Sequence, residues 1–196
     1  MLPTLLAGLG LSTSAGLNAY LPLLILALAD RISSSFNLPG PYDAVSSNAG
    51  IIVILLVMAV EIIGDKLPRI DHINDLIHMP IRAAVGGFCF MGVAAEAGDM
   101  NVWLAGAIGF IVAGGVSYWK TRMRPAITTT TNGIGNPIIS MQEDAVAIIL
   151  SIVALAWPWG IALMLPLLGW WIVRAETRMS TGNSSLMRLL QPQRKD

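Results

Sequence analysis

Charged residues are scarce in this sequence of 196 residues: Asp, Glu, Lys and Arg make up 12% of it, about half the share found in typical soluble domains. Hydrophobic residues make up 55%, and a chain this short has no interior large enough to bury them all. The surplus apolar surface must therefore face lipid. The scarcity of charge excludes an ordinary soluble domain and indicates an integral membrane protein.

Motifs for redox, nucleotide and metal chemistry are also missing. A single cysteine, Cys89, excludes an intrachain disulfide. There is no HExxH or CxxC pattern, no glycine-rich nucleotide loop and no nucleic-acid-binding signature. We therefore predict no cofactor and no nucleic-acid partner. The first residues lack the basic segment and cleavage site of a signal peptide, so we expect the first apolar segment to be retained.

Six segments have the roughly 20 mostly apolar residues that a membrane-spanning helix needs. They are residues 2–30, 48–66, 80–98, 101–119, 137–157 and 159–175. The sequence predicts an all-α integral membrane bundle of about six transmembrane helices, in one domain over 1–178 with a basic cytoplasmic tail at 179–196. Glycines in the third and fourth spans predict close helix packing: Gly86, Gly87, Gly92, Gly106, Gly109, Gly114 and Gly115.

The basic residues orient the spans. If both termini are cytoplasmic, segments 66–82 and 120–136 and the C-terminal tail hold eleven of the 12 Lys and Arg residues, and only Arg31 lies outside. Positive charge concentrates on the cytoplasmic side of membrane proteins. The pattern therefore predicts six spans with the N- and C-termini in the cytoplasm.

Two polar runs interrupt the apolar pattern. Ser-Thr-Ser-Ala-Gly-Leu-Asn occupies 12–18, and Thr-Thr-Thr-Asn-Gly-Ile-Gly-Asn-Pro occupies 129–137. Glycine and hydroxyl or amide side chains weaken helices, and Asn before Pro is a helix-start signal. We predict interrupted helices near 12–18 and 129–137, related as a degenerate repeat. The alternative is that the hydroxyls bond to their own helix and that 125–136 is a cytoplasmic loop.

Helix N-termini inside a membrane form natural anion sites, and transporters place discontinuous helices around their substrates. Arg82, at the mouth of the third span, would clamp a phosphate or carboxylate by bidentate hydrogen bonds. The predicted substrate-binding residues are therefore Ser12, Thr13, Ser14, Gly16, Asn18, Arg82, Thr130, Thr131, Asn132, Gly133 and Asn136.

Carboxylates at membrane depth are costly and are usually functional or paired. Glu61 and Asp65 lie one turn apart on the second span, and Glu143 and Asp144 lie in the first turns of the fifth. We interpret these four residues as the group that couples transport to protons or ions. Ser140, Asp144 and Ser151 form a stripe that we expect to face the bundle interior.

Residues 69–79 carry apolar side chains on one face and polar side chains on the other, which predicts a cytoplasmic interfacial helix. Asp71, Asp75 and His78 follow one another at i, i+4 and i+7. Carboxylate and imidazole groups are suitable ligands for a divalent metal. A solvated polar face is the alternative that we favour.

Several of these ordered blocks resemble a bacterial membrane family, the domain of unknown function 4126. The residues that carry the resemblance are 12–24, Glu61 with Asp65-Lys66-Leu67-Pro68, Asp71 to Arg82, and Gly133 to Ser140 with Glu143-Asp144. The resemblance covers the chain to about residue 178. It implies a location in the bacterial plasma (inner) membrane, and no particular activity.

The leading hypothesis is a small transporter or flippase for an anionic small molecule or lipid that carries a phosphate or carboxylate. An ion channel shares most of these features. An intramembrane enzyme acting on a lipid or polyprenyl substrate at the cytoplasmic face, with Asp71, Asp75 and His78 as its site, is the second class, and transport is favoured over it. A purely structural membrane partner is the third. Membrane lipids are expected partners, and a homodimer enclosing a pathway is a further option.

Overall fold

The computed structural model describes residues 1–66, 71–131, 135–170 and 174, and it describes side chains for 1–61, 77–123, 138–170 and 174. Over these residues the chain is helical and contains no strand. The helices are α1 (Leu2–Leu17), α2 (Tyr20–Ile32), α3 (Asn48–Lys66), α4 (Asp71–Ala97), α5 (Val102–Thr131), α6 (Gly135–Ala156) and α7 (Pro158–Trp170), with a 3-10 helix at Tyr42–Ser46. The predicted all-helical fold is confirmed.

The chain divides into two compact units, Met1–Ile161 and Ala162–Asp196. The first holds α1 to α6. Within the second, the guanidinium carbon of Arg174 lies 4.9 Å from the centroid of the Trp170 ring, a cation–π contact.

Three helical stretches among the described residues are long and apolar enough to cross a membrane: Ile77–Ala97, Val102–Met123 and Ile138–Ala156. They correspond to the spans predicted at 80–98, 101–119 and 137–157. The other three predicted spans contain shorter apolar helices, at Leu2–Leu17, Asn48–Glu61 and Pro158–Trp170. Large apolar side chains such as Leu56, Ile111 and Leu163 are exposed, as expected of helices that face lipid.

The segment predicted as one span at 2–30 differs in the structure, where it is a helical hairpin. Along α1, Thr4 donates to Asp99, and Ser12 donates to the carbonyl of Gly86, so α1 runs antiparallel to α4. Along α2, Tyr20 contacts His78, and a Cβ on Gly92 would lie 3.7 Å from Leu26, so α2 runs parallel to α4. We name residues 2–32 the N-terminal hairpin.

The hairpin places the N-terminus at a defined end of the bundle. The Met1 ammonium group pairs with Asp99, in the connection between α4 and α5. The turn of the hairpin lies at the opposite end, where α4 begins. The two helices have 16 and 13 residues, about 24 and 20 Å at 1.5 Å per residue.

The interruption predicted near 12–18 is confirmed and lies at the end of that run. Helix α1 continues to Leu17, and the break comes at Asn18, four residues before Pro22. In a continuous helix the proline ring would clash with the carbonyl of Asn18 and could not donate a hydrogen bond to it. Proline in the first turn of α2 is tolerated, since that position needs no helical N–H. The interruption is therefore set by Pro22 and Asn18.

Two further boundaries differ from the prediction. The interfacial helix expected at 69–79 and the third span form one helix, α4, which continues through Pro80. Helix α5 extends to Thr131, beyond the predicted span end at 119. Residues 132–134 lie outside the described part, so the second interruption and the repeat stay predictions.

Helices α4 and α5 approach closely through glycines, as predicted for a membrane bundle. A Cβ on Gly109 would lie 2.5 Å from the carbonyl oxygen of Gly86, and one on Gly87 would lie 3.0 Å from that of Gly106. Gly115 has no atom within 4 Å of its Cβ position, so it is not part of the contact. This tight pairing holds the second half of α4 against α5, with Ala15 of α1 also 3.5 Å from the Cβ position of Gly86.

Candidate functional site

The N-terminal hairpin turns at Asn18, which is buried and extended, with φ −144° and ψ 122°. Its side-chain oxygen accepts hydrogen bonds from the backbone N–H groups of Tyr20 and Leu21, at 3.0 and 3.1 Å. This is the role of an N-cap oxygen. Two of the amides expected to bind a substrate anion are therefore occupied by Asn18 itself.

The serine hydroxyls of the run at 12–18 hold α1 against its neighbours. Ser12 Oγ donates to the carbonyl oxygen of Gly86 on α4 at 3.0 Å. The hydroxyls of Ser14 and Ser151 lie 2.7 Å apart, and both reach the carbonyl oxygen of Ala147 on α6. Ser12 and Ser14 therefore make contacts between helices. Substrate binding by these two serines stays a prediction.

Thr13 and Gly16 complete the predicted run, and both are buried. A Cβ on Gly16 would lie 2.7 Å from the carbonyl oxygen of Ala113 on α5. The absence of a side chain at Gly16 thus lets the end of α1 lie directly against α5, next to the hairpin turn.

Lys120 is the residue of this site that sequence reasoning missed. It lies on α5 and is 2% exposed, and its Nζ donates to the carbonyl oxygen of Leu17, the last residue of α1, at 2.9 Å. The same Nζ lies 3.2 Å from Glu143 Oε2 on α6. The C-terminal end of a helix dipole is negative, which stabilises the ammonium group at the end of α1. Through these two contacts, Lys120 on α5 connects the end of α1 to α6.

The signal for Lys120 was present in the sequence. The predicted span ended at residue 119, so Lys120 was placed in the cytoplasmic segment 120–136. Ser117, however, shares the face of Lys120 at i−3 spacing, and Thr121 shares the face of Ser117 at i+4 spacing, so this side of α5 is polar. Helices that carry a polar stripe in a membrane turn it towards the bundle interior.

Asp144 connects α6 to the hairpin turn. Its Oδ1 accepts a hydrogen bond from Asn18 Nδ2 at 3.0 Å. The amide of Asn18 therefore caps α2 with its oxygen and binds Asp144 with its nitrogen. Glu143 and Asp144, which were predicted to act together, contact different residues: Glu143 contacts Lys120, and Asp144 contacts Asn18.

Glu61 and Arg82 form a fully buried ion pair between α3 and α4. Arg82 donates to Glu61 Oε1 from Nε at 3.0 Å and from Nη2 at 2.8 Å, and both side chains are 0% exposed. The guanidinium group predicted to clamp a substrate anion thus binds a carboxylate of the chain itself.

Tyr20 links this pair to the hairpin turn. Its backbone N–H bonds to Asn18, and its phenol lies within electrostatic range of Glu61 and Arg82. The Tyr20 ring also meets the His78 ring edge-on, with centroids 6.4 Å apart. Tyr20 therefore lies between the turn at Asn18 and the Glu61–Arg82 pair.

Three buried hydroxyl groups lie on the helices that carry these charges. The oxygens of Ser117, Thr121 and Ser140 have no hydrogen-bond partner among the residues that the structure describes. Ser140 lies one turn before Asp144 on α6, and Ser151 is buried on the same stripe, which agrees with the interior face predicted for α6.

The described part of the site contains both basic and acidic side chains. The basic residues are Arg82 and Lys120, and the acidic residues are Glu61, Glu143 and Asp144. Each of the two cations already contacts a carboxylate.

The metal prediction is not tested. Within the described residues no group of three or more His, Cys, Asp or Glu side chains is arranged to hold a metal ion. His78 is buried against Tyr20. The side chains of Asp71 and Asp75 lie outside the described part.

Six other predicted residues also lie outside it. Asn132 and Gly133 are in the segment that the structure does not describe, and the other four belong to helices whose side chains it does not describe there. These four are Asp65, Thr130, Thr131 and Asn136.

A family described as Domain of unknown function (DUF4126) matches residues 5–178 of the chain. The protein belongs to this family. Among curated proteins and among solved structures, nothing matches the chain. The DUF4126 region begins within α1 and ends beyond α7, so it includes every residue of the site.

Proposed function

We propose that this DUF4126 protein is a small transporter of the bacterial plasma membrane, which carries an anionic substrate with a phosphate or carboxylate group. The observation that carries the proposal is the break between α1 and α2. It lies in the buried interior, beside Lys120, Glu143 and Asp144. Discontinuous helices with charged side chains at their ends form the substrate sites of many transporters.

Buried charges support a function beyond packing. Moving an ion pair out of water is expensive, and apolar side chains often stabilise a fold equally well. Polar groups inside membrane bundles commonly mark substrate or ion pathways. The protein holds two such pairs within one site, joined by Asn18 and Tyr20 at the hairpin turn.

The two ion pairs differ in accessibility, although both cations are buried. Arg82 and its partner Glu61 are both fully buried, whereas Glu143, the partner of Lys120, is 15% exposed. An entering anion therefore reaches Lys120 more readily than Arg82. This assigns substrate binding to Lys120 and a structural role to Arg82, in place of the clamp expected from the sequence.

The hairpin changes the proposed orientation. The positive-inside pattern still places the connections 66–82 and 120–136 in the cytoplasm. Asp99 is then on the outer side, and Met1 pairs with Asp99, so we place the N-terminus outside. The site then lies about two to three helical turns inside the cytoplasmic ends of α4, α5 and α6.

Cysteine labelling tests this orientation. On a Cys89→Ala background, we expect Leu2→Cys to react with a membrane-impermeant maleimide in intact spheroplasts, because the residue is exposed at the outer end. Arg122→Cys, exposed at the other end, should react only after permeabilisation. Ser34→Cys serves as the outer control. Labelling of Leu2→Cys only after permeabilisation would contradict the orientation.

Transport itself is measured in proteoliposomes as uptake of radiolabelled inorganic phosphate and methanesulfonate. Wild-type protein should take up at least one of these anions faster than empty liposomes do. Lys120→Met should reduce uptake to the background, because the cation that meets the substrate is lost.

The matched control is Arg122→Met, which removes an exposed cation two residues away on α5. It should transport like wild type. Uptake by Lys120→Met equal to that of wild type would show that the substrate does not use this cation. Wild-type uptake no faster than in empty liposomes, for both anions, would contradict the transporter proposal for this substrate class.

A further inference from the structure

The last carbonyl group of α1 has lost its helical donor. In a continuous helix, the N–H of Leu21 would donate to the carbonyl oxygen of Leu17, four residues earlier. Here the N–H of Leu21 donates instead to Asn18 Oδ1, at 3.1 Å. The last carbonyl groups of a helix carry the negative end of its dipole. Because Leu17 is buried, the turn provides an electronegative oxygen inside the bundle.

A cation contacts this oxygen. The ammonium nitrogen of Lys120 lies 2.9 Å from the carbonyl oxygen of Leu17 and 3.2 Å from Glu143 Oε2. Both Lys120 and Glu143 also take part in further interactions, which add to these two contacts and do not replace them. Lys120 is 2% exposed, so protein groups and not bulk water stabilise its charge.

The two oxygens resemble the ligands of a bound monovalent cation. Transporters with interrupted helices coordinate Na⁺ through the carbonyl groups at the C-terminal ends of those helices. Divalent Ca²⁺ and Mg²⁺ need oxygens at about 2.0–2.6 Å. Distances of 2.9 and 3.2 Å fit a larger ion, and K⁺ is close to an ammonium group in size.

We propose that the end of α1 forms a site for a monovalent cation of the size of K⁺, with the Leu17 carbonyl oxygen and Glu143 as ligands, and that the ammonium group of Lys120 fills this site in the native protein. The cation is then part of the chain, so no dissolved Na⁺ or K⁺ is needed to hold the hairpin turn against α5 and α6. Removing the Lys120 side chain without filling its space opens the site to a dissolved ion.

The melting temperature of Lys120→Ala in detergent micelles tests the site. Potassium, ammonium and choline chloride are compared at about 0.2 M, where exposed charges are screened alike. The variant should melt roughly 3 °C higher in potassium or ammonium chloride than in choline chloride, because an ion that binds only the folded state stabilises it. Choline is too large for the space that a lysine side chain leaves. Wild-type protein should melt at the same temperature in all three salts.

Three matched variants isolate the ligands and the space. Lys120→Met fills the space without a charge, so its melting temperature should not respond to potassium. Lys120→Ala/Glu143→Gln lacks the carboxylate and should lose most of the response. Arg122→Ala removes an exposed cation two residues away on α5 and should behave like wild type.

Equal melting temperatures of Lys120→Ala in potassium and choline chloride overturn the inference. Stabilisation of wild type by potassium relative to choline would show that Lys120 does not fill the site. If Lys120→Ala is too unstable to purify in choline chloride, the protein is purified in potassium chloride and then exchanged. Aggregation in choline chloride alone, and not in ammonium chloride, supports the site, whereas aggregation in all three salts contradicts it.

The consequence for uptake rests on the proposed anion transport. Wild-type uptake in proteoliposomes should be equal in potassium and choline buffers. Lys120→Ala should regain uptake in potassium only, because the bound ion replaces the positive charge that meets the anion, and Lys120→Met should not regain it. Potassium-dependent melting of Lys120→Ala without wild-type uptake would refute transport alone. Wild-type uptake with potassium-independent melting of Lys120→Ala would refute the cation site and leave transport standing.

Discussion

Replacing Arg82 by methionine is expected to lower the free energy of unfolding by roughly 3–5 kcal/mol, the cost of breaking a buried ion pair. Arg82 makes two hydrogen bonds to Glu61 Oε1, and both side chains are fully buried. The variant leaves the Glu61 carboxylate without its counter-ion in an apolar interior. SDS titration in mixed micelles, followed by circular dichroism, measures the change.

The double variant Glu61→Leu/Arg82→Met provides the control for this effect. Removing both charges also removes the uncompensated Glu61 carboxylate, so we expect part of the lost stability to return. Arg122→Met, at an exposed site on α5, should change stability by no more than about 0.5 kcal/mol. A double variant as unstable as Arg82→Met would show that the loss comes from packing and not from the unpaired carboxylate.

Replacing Asn18 by alanine is expected to cost roughly 2–4 kcal/mol, because one side chain serves both helices at the hairpin turn. Its oxygen caps the amides of Tyr20 and Leu21, and its nitrogen donates to Asp144. Loss of an N-cap costs about 1 kcal/mol, and loss of a hydrogen bond to a charged group about 1.5–3 kcal/mol. The same SDS titration measures the change.

Two comparisons separate these contributions. Asn18→Ser keeps a capping oxygen but is too short to bind Asp144, so it should lose less stability than Asn18→Ala. Asn101 caps α5 through Leu104 N at an exposed site and has no carboxylate partner among the described residues. Asn101→Ala should therefore cost about 1 kcal/mol. If Asn18→Ala costs no more than Asn101→Ala, the hydrogen bond between Asn18 and Asp144 does not contribute to stability.

The helical class, the apolar segments and the glycine contacts follow from the sequence, because each depends on local composition and spacing. The position of the first helix break was also within reach. Pro22 has no N–H, so it cannot donate the helical hydrogen bond to the carbonyl oxygen of Asn18. The serines, threonine and glycine of the preceding run only lower the helix propensity. Proline alone does not end a helix here, since α4 continues through Pro80; at the hairpin turn, Asn18 also caps the helix that follows.

The direction of the first segment could not be predicted from hydropathy. Residues 2–30 are apolar almost throughout, and a single span and a hairpin of two short helices have the same composition. The difference lies in pairing, since Met1 and Thr4 bind Asp99 while Tyr20 contacts His78.

The partners of the buried charges were likewise undetermined. Glu61, Arg82, Glu143 and Asp144 could be selected because charge at membrane depth is costly wherever it occurs. Lys120 was placed in the cytoplasmic segment 120–136 because the fourth span was expected to end at residue 119.

By itself, therefore, the sequence determined that this is a helical membrane-type protein of the DUF4126 family with a few costly polar side chains in apolar segments. Only the tertiary structure decided which of them meet: Arg82 with Glu61, Lys120 with Leu17 and Glu143, and Asn18 with Asp144. Burial cost is a property of each residue and its neighbours in sequence. The choice of partner depends on the helix directions and on contacts between residues up to 137 positions apart, which local patterns do not encode.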